Sequence, residues 1–115
     1  MMTLKDGTKV YAWLGVTKMD LGVEQLAGLV QGEIPGGPFS GDWYMFCGFQ
    51  RRIIKILYWD RNGFCVWQKK LEQDRFPWPR QESGVRLLTG NEVELIFRGI
   101  DFWNEHKKIE YKKIF

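Results

Sequence analysis

Asn62-Gly63 stands between two apolar runs, Ile53 to Trp59 and Phe64 to Leu71, and no other stretch constrains the fold as tightly. Asn and Gly both tolerate the positive φ that a tight hairpin turn needs, so the pair specifies two antiparallel strands joined by that turn. On the first strand Ile53, Lys55, Leu57 and Trp59 share one face and Ile54, Ile56 and Tyr58 the other. Lys55 marks its face as the one nearer solvent, with Trp59 beside positive charge. Across the turn Cys65, Trp67 and Lys69 form one set and Phe64, Val66 and Gln68 the other. Arg51, Arg52, Lys55, Arg61, Lys69 and Lys70 are spread along the hairpin, which is both basic and aromatic.

The chain has 115 residues, the length of one domain, here read as an α+β domain over 1–102 followed by a basic C-terminal tail over 103–115. A hydrophobic share of 44% excludes a disordered chain, which lacks the apolar area to offset ordering entropy. Six Trp and eight Phe are more rings than one small core hides, so some are expected at a contact surface. A net charge of +3 permits a nucleic-acid partner without specifying one. Between Arg51 and Arg80 the basic residues outnumber Asp60, Glu72 and Asp74. Cys47 and Cys65 fall inside expected strands and read as free thiols of a reducing compartment. The sequence shows no apolar run of membrane-spanning length and no secretory h-region, so a soluble cytoplasmic protein is expected.

Along the chain, Lys9 to Leu14 reads as a strand of β-branched and aromatic residues. Thr17 to Asp20 offers capping oxygens for a helix over Leu21 to Gln31, whose Val23, Leu26, Ala27 and Val30 make one apolar face. Gly22 and Gly28 weaken that helix unless they serve close packing on the sheet. Ile34-Pro35-Gly36-Gly37-Pro38 ends it. Asp42 to Phe49 is apolar on both faces, which is the mark of a central strand, and Gln50-Arg51-Arg52 links it to an antiparallel neighbour. In Phe76-Pro77-Trp78-Pro79 the prolines fix an extended path outside the sheet, with the two rings expected to project outward. Gly84 to Leu88 suits a short strand. Thr89-Gly90-Asn91-Glu92 is a capping box opening a second helix with Val93, Ile96, Phe97 and Ile100 as its buried stripe, closed near Gly99. The Lys-rich end carries His106, Lys107, Lys108, Lys112 and Lys113 and suits either a solvated terminus or a basic arm that follows phosphates.

Nothing in the chain has the spacing of a catalytic or metal centre. His106 has no orienting acid near it in sequence, and no nucleophile elbow, P-loop, dinucleotide fingerprint or Cys/His metal spacing occurs. Asp20, Glu24, Asp42, Asp60, Asp74 and Asp101 share no metal-binding spacing, and turn chemistry accounts for Asp60. A non-enzyme without metal or cofactor is expected. The hairpin leaves two readings open. Rings that stack bases and cations that meet phosphates make a nucleic-acid platform; lysines that block strand-to-strand aggregation make an ordinary sheet edge. Phe76 and Trp78 with Arg75 and Arg80 suit contact with nucleic acid or with a protein.

Several stretches together resemble one family. They are Val10 to Gly15 leading into Thr17-Lys18-Met19-Asp20, Gly22 to Gln31, Pro38-Phe39-Ser40-Gly41, Lys55-Ile56-Leu57-Tyr58-Trp59-Asp60-Arg61-Asn62-Gly63-Phe64, Lys69-Lys70-Leu71-Glu72, Arg75-Phe76-Pro77-Trp78-Pro79 and Gly99-Ile100-Asp101. The chain is similar over about Gly7 to Phe102 to the accessory proteins encoded by the second reading frame of the IS sixty-six type of bacterial insertion sequences, often called TnpB. They are distinct from the RNA-guided nuclease of that name. The resemblance implies a non-catalytic helper of DNA transposition, with a separate transposase and a second small accessory protein as partners. It implies no membrane and no small-molecule substrate. The family carries Thr-Asp-Met-Arg-Lys-Gly where this chain has Thr17-Lys18-Met19-Asp20-Leu21-Gly22, and the tail past Trp103 exceeds its usual end.

These readings converge on an α+β domain: an antiparallel sheet of four to five strands with a central Asn-Gly hairpin and two helices packed on it. DNA contact is expected through Arg51, Arg52, Lys55, Arg61, Lys69 and Lys70. Trp59, Trp67, Phe76 and Trp78 are the candidate rings for docking on the transposase, the alternative to direct DNA contact.

Overall fold

The computed structural model describes residues 6–103; His106 and the tail lysines lie outside the described residues. Five strands, β1 (Val10–Trp13), β2 (Trp43–Cys47), β3 (Ile53–Asp60), β4 (Gly63–Lys70) and β5 (Val85–Leu88), form one sheet in the order β4-β3-β2-β1-β5. Two helices, α1 (Val23–Glu33) and α2 (Gly90–Phe97), complete the α+β fold. β2 is the middle strand, and all five of its residues are buried. Its apolarity on both faces follows from that position.

All the pairings are antiparallel except one. β1 runs parallel to β2, with Val10 opposite Trp43 and Ala12 opposite Met45. The chain leaves β1, crosses the sheet as α1 and returns in the same direction, and a parallel pair requires such a crossover. The hairpin β3–β4 lies at one side of the sheet, with β4 as the edge strand. Its turn sits one residue earlier than Asn-Gly implies. Asp60 pairs with Gly63, leaving Arg61 and Asn62 as the loop, and the positive φ of 56° belongs to Arg61.

The sheet divides the core in two. On one face Val10, Ala12, Trp43, Met45, Ile54 and Ile56 pack under α2 through Val93 and Ile96. On the other, Tyr44, Phe46 and Leu57 pack under α1 through Leu26, Ala27 and Val30. Lys55 therefore lies on a face that α1 covers. α1 is capped differently from expectation: Gly22 holds the cap position, and its N–H donates to Gln25 Oε1 at 2.6 Å. Gly28 is exposed and touches nothing that a Cβ would meet, so it serves no close packing.

α2 begins as its sequence says. Thr89 Oγ1 accepts from Glu92 N–H at 3.1 Å, and Glu92 Oε1 accepts from Thr89 N–H at 3.0 Å. Gly99 ends it at φ 79°, where Ile100 N–H reaches Leu95 O at 2.9 Å. Ile100 is exposed rather than part of the buried stripe, because the left-handed Gly99 turns the chain off the helix.

The Phe76–Pro79 segment overturns its expectation. Phe76 and Trp78 point inward and are only 1% and 4% exposed. Their polar neighbours explain why. Trp78 Nε1–H donates to Gly15 O at 3.1 Å, Gly15 N–H to Pro79 O at 2.9 Å, and Trp103 Nε1–H to Pro77 O at 2.8 Å. Phe97 stands edge-on to Phe76, and Trp103 edge-on to Trp78. The prolines do fix an extended path outside the sheet, but it runs as a belt against the end of β1. Each large buried side chain of this kind contributes about 1.5–3 kcal/mol. Phe76 and Trp78 are core residues and present no outward ring.

Candidate nucleic-acid interface

The six basic residues of the hairpin do not share one surface. Lys55 is committed internally: its Nζ donates to Met19 O at 2.7 Å and Leu21 O at 3.3 Å, fastening the loop before α1 to the sheet. Arg61 sits at the hairpin tip just past the end of β3, eight residues from Ile53 and about 25 Å from the base of the strand. Lys69 pairs with Ile54 and faces the α2 side, whereas Lys70 pairs with Ile53 and faces the α1 side. Arg51 and Arg52 lie in the β2–β3 turn.

What the structure brings together is at the base of the hairpin. The loop Val16–Met19, the turn Gly48–Ile53 and the end of β4 enclose a groove of about 660 Å³. Its floor is Thr17 and Gly48, both buried, with Met19 and Ile53 half-buried. Lys18, Phe49, Gln50 and Lys70 stand exposed around it, and Arg52 lines it half-buried. Among the described residues three cations line this groove and no carboxylate does. Among the described residues none of the three forms an ion pair. Arg52 Nη1–H donates to Glu72 O at 2.9 Å, which occupies one of the five N–H groups of its guanidinium.

Local chemistry holds the groove in shape. Thr17 N–H donates to Cys47 O at 2.9 Å, and the Lys55 ammonium grips the same loop from below. A Cβ on Gly48 would lie 2.6 Å from Met19 Cγ, so a larger residue there would displace the Met19 side chain from its place against the turn. The turn closes through Arg51 N–H to Gly48 O at 3.0 Å, with Arg51 at φ 60°. A left-handed residue other than glycine costs about 1–2 kcal/mol. Two bonds hold the turn against the following chain: Arg51 O accepts from Phe76 N–H at 2.6 Å and Arg52 O from Leu71 N–H at 2.7 Å.

Phe49 projects from this turn and is 69% exposed, the most exposed large apolar side chain among the described residues. The Arg80 guanidinium carbon stands 5.9 Å from its ring centroid, a cation–π distance. Arg80 and Arg51 also border an adjoining recess of about 340 Å³ beside Trp78 and Pro79. The Nε of Arg51 is buried without a hydrogen-bond partner among the described residues.

The hairpin tip differs. Among the described residues, a recess of about 770 Å³ there is lined by Asp6, Asp42 and Asp60 together with Arg61. Asp42 Oδ1 accepts from Lys9 N–H at 3.0 Å. Trp59 is half-buried and packs edge-on with Phe39 at 5.1 Å and Phe64 at 4.9 Å. Trp67 stands edge-on to Phe97 of α2 at 5.4 Å. Among the described residues no group of three or more His, Cys, Asp or Glu side chains is placed to hold a metal ion. Burial pushes the Cys47 thiol from its usual 9.0 up to about 12 and also raises Tyr44 and Tyr58. Both cysteines are free thiols. No described helix is long and apolar enough to cross a membrane.

Sequence reasoning missed Lys18, Phe49 and Arg80 as members of one surface. The one local signal was an aromatic residue, Phe49, two positions before Arg51-Arg52 in a short polar link between strands.

The fold and this surface define a small α+β domain with a cationic groove at the base of its hairpin. The chain belongs to the IS66 Orf2-like family, whose profile matches residues 8–107. It is similar to the uncharacterized protein y4hO of Sinorhizobium fredii (strain NBRC 101917 / NGR234), 31% identical over 101 residues, 86% of this chain and 88% of that protein. The uncharacterized protein y4jC of the same strain is 27% identical over 92 residues, covering 80% and 78% of the two chains. No solved structure matches the chain.

Proposed function

We propose that this protein is a non-catalytic accessory of insertion-sequence transposition that binds DNA through the cationic groove at the base of its hairpin. The observation that carries the reading is the groove lining: Lys18, Arg52 and Lys70, with no carboxylate among the described residues that line it. Unpaired cations around a recess attract phosphate, and each phosphate neutralised releases counterions. Membership of the IS66 Orf2-like family supports the insertion-sequence setting; in this reading the protein holds DNA while a separate transposase performs the chemistry. The transposase and a second small accessory protein are its proposed partners. The hairpin tip takes no part in DNA contact in this reading, since its recess is acidic.

The test is a salt titration of binding to DNA carrying the ends of the element. Affinity falls with salt with a log–log slope of about −0.9 for each duplex phosphate contacted, or about −0.7 for each on a single strand. Replacing Lys18, Arg52 and Lys70 by Ala flattens that slope. Absence of salt-dependent binding at low ionic strength, to duplex and single strand alike, refutes the reading.

A further inference from the structure

We infer that the groove takes an unpaired DNA strand, with Phe49 as the platform on which a base stacks. The inference rests on the DNA-binding reading above and specifies the form of DNA. Three observations carry it. The first is the ring itself: Phe49 is 69% exposed at the end of a turn whose backbone is held at both sides by hydrogen bonds. Leaving most of a phenyl ring in water forgoes up to about 1.5–3 kcal/mol of burial, and its one visible return, a cation–π contact with Arg80, offsets about 0.5–1 kcal/mol of that. Arg80 stands against the ring at 5.9 Å, which is where a guanidinium supports a stacked assembly by cation–π attraction.

The second is the make-up of the groove. Met19 and Ile53 give it an apolar floor beside the buried Thr17 and Gly48, while Lys18 and Lys70 stand exposed above it. A single strand needs both surfaces together, apolar area for base faces and cations for the backbone. A duplex keeps its base faces stacked inside and has no use for an apolar floor.

The third is size. A recess of about 660 Å³ lies within the range that holds one small organic ligand, so it has room for nucleotides of one strand. A duplex, whose major groove alone is about 12 Å wide, does not enter it. Stacking on rings is tolerant of sequence, so the groove holds a strand without reading bases.

The experiment compares the purified full-length protein with Phe49→Ala and Phe49→Trp for binding to oligo(dT), oligo(rU) and a mixed-sequence duplex of equal length at one salt concentration. Phe49 is exposed, so neither substitution disturbs the core, and circular dichroism verifies this. Tighter binding of oligo(dT) than of duplex is expected. Phe49→Ala weakens oligo(dT) binding by about 5- to 150-fold, the range of one base–ring stack, and leaves duplex binding within about 2-fold. Phe49→Trp restores or exceeds wild-type affinity for oligo(dT). Duplex bound at least as tightly as oligo(dT), with Phe49→Ala neutral on both, overturns the inference and leaves the DNA-binding reading in place. Tighter binding of oligo(rU) than of oligo(dT) overturns the assignment to DNA. No binding to any of the three removes both readings together.

Discussion

The two ends of strand β3 differ in almost every respect that bears on binding. At its start, the turn Gly48–Arg52 and the loop Val16–Met19 form a groove with three cations and no carboxylate among the described residues. At its finish, about 25 Å away, the described lining of the tip recess has three aspartates and one arginine. The rings differ too. Phe49 stands exposed at the cationic end, whereas Phe39, Trp59 and Phe64 at the tip pack against one another. A count of basic residues along the hairpin hides this contrast, because three of the six have work or places of their own. Lys55 serves two carbonyls, Lys69 faces α2, and Arg61 makes a turn. A cation's role is set by what folds beside it, not by how many others lie near it in sequence.

Substitutions at the two ends should separate accordingly. The largest effect is on stability, where the cationic end rests on the belt and the tip does not. Trp78→Ala removes a ring that is 4% exposed together with its bond to Gly15 O, and costs about 3–5 kcal/mol in urea unfolding. Trp59→Ala, which removes a half-buried ring packed against the exposed Phe39 and the half-buried Phe64, costs about 1–2 kcal/mol. Equal costs would remove the structural half of the contrast.

Lys55→Met comes next. It leaves the Met19 and Leu21 carbonyls without their donor and destabilises by about 1–3 kcal/mol. The salt slope of DNA binding is expected to stay at the wild-type value, because this ammonium is already engaged. A slope that falls by as much as in Lys70→Ala would put Lys55 back among the DNA contacts.

Cys47 and Cys65 extend the comparison to pH. Cys47 ends β2 beneath the groove, is 0% exposed, and has its thiol raised by burial from 9.0 to about 12. Between those values the unfolded chain releases this proton and the folded one keeps it. The Cys47 contribution is therefore fully present below pH 9 and is lost as pH rises toward 12. Urea unfolding at pH 8 and pH 10.5 checks this, and Cys47→Ala should flatten the decline. Alkylation of the native protein at pH 8 should modify Cys65, which is half-buried, ahead of Cys47.

The smallest effect is at the tip. Arg61→Gly relieves a left-handed φ of 56° and should stabilise by up to about 1 kcal/mol. DNA affinity is expected to remain unchanged.

Local patterns in the sequence were enough to place most elements. Thr89 and Glu92 announce α2 because a capping box involves residues three apart. The two-sided apolarity of Trp43 to Cys47 announces a central strand for a similar reason. Where the sequence misled, the deciding contact was distant. The sheet's one parallel pair depends on α1 crossing between β1 and β2. The ring of Trp78 turns inward to an acceptor on Gly15, 63 residues away, and that of Phe76 inward onto Phe97 of α2. The groove was illegible for the same reason. Lys18, Phe49 and Lys70 lie far apart in the chain and meet where Met19 packs against Gly48 and Lys55 ties down the loop.

The most direct measurement is the salt dependence of DNA binding in three proteins: wild type, the triple variant Lys18→Ala/Arg52→Ala/Lys70→Ala, and Arg61→Ala. On a single strand the triple variant should lose about 2 from the magnitude of the log–log slope, near 0.7 for each phosphate contact removed. Arg61→Ala should match wild type. An unchanged slope in the triple variant together with a reduced one in Arg61→Ala would place the contact at the hairpin tip and contradict the account.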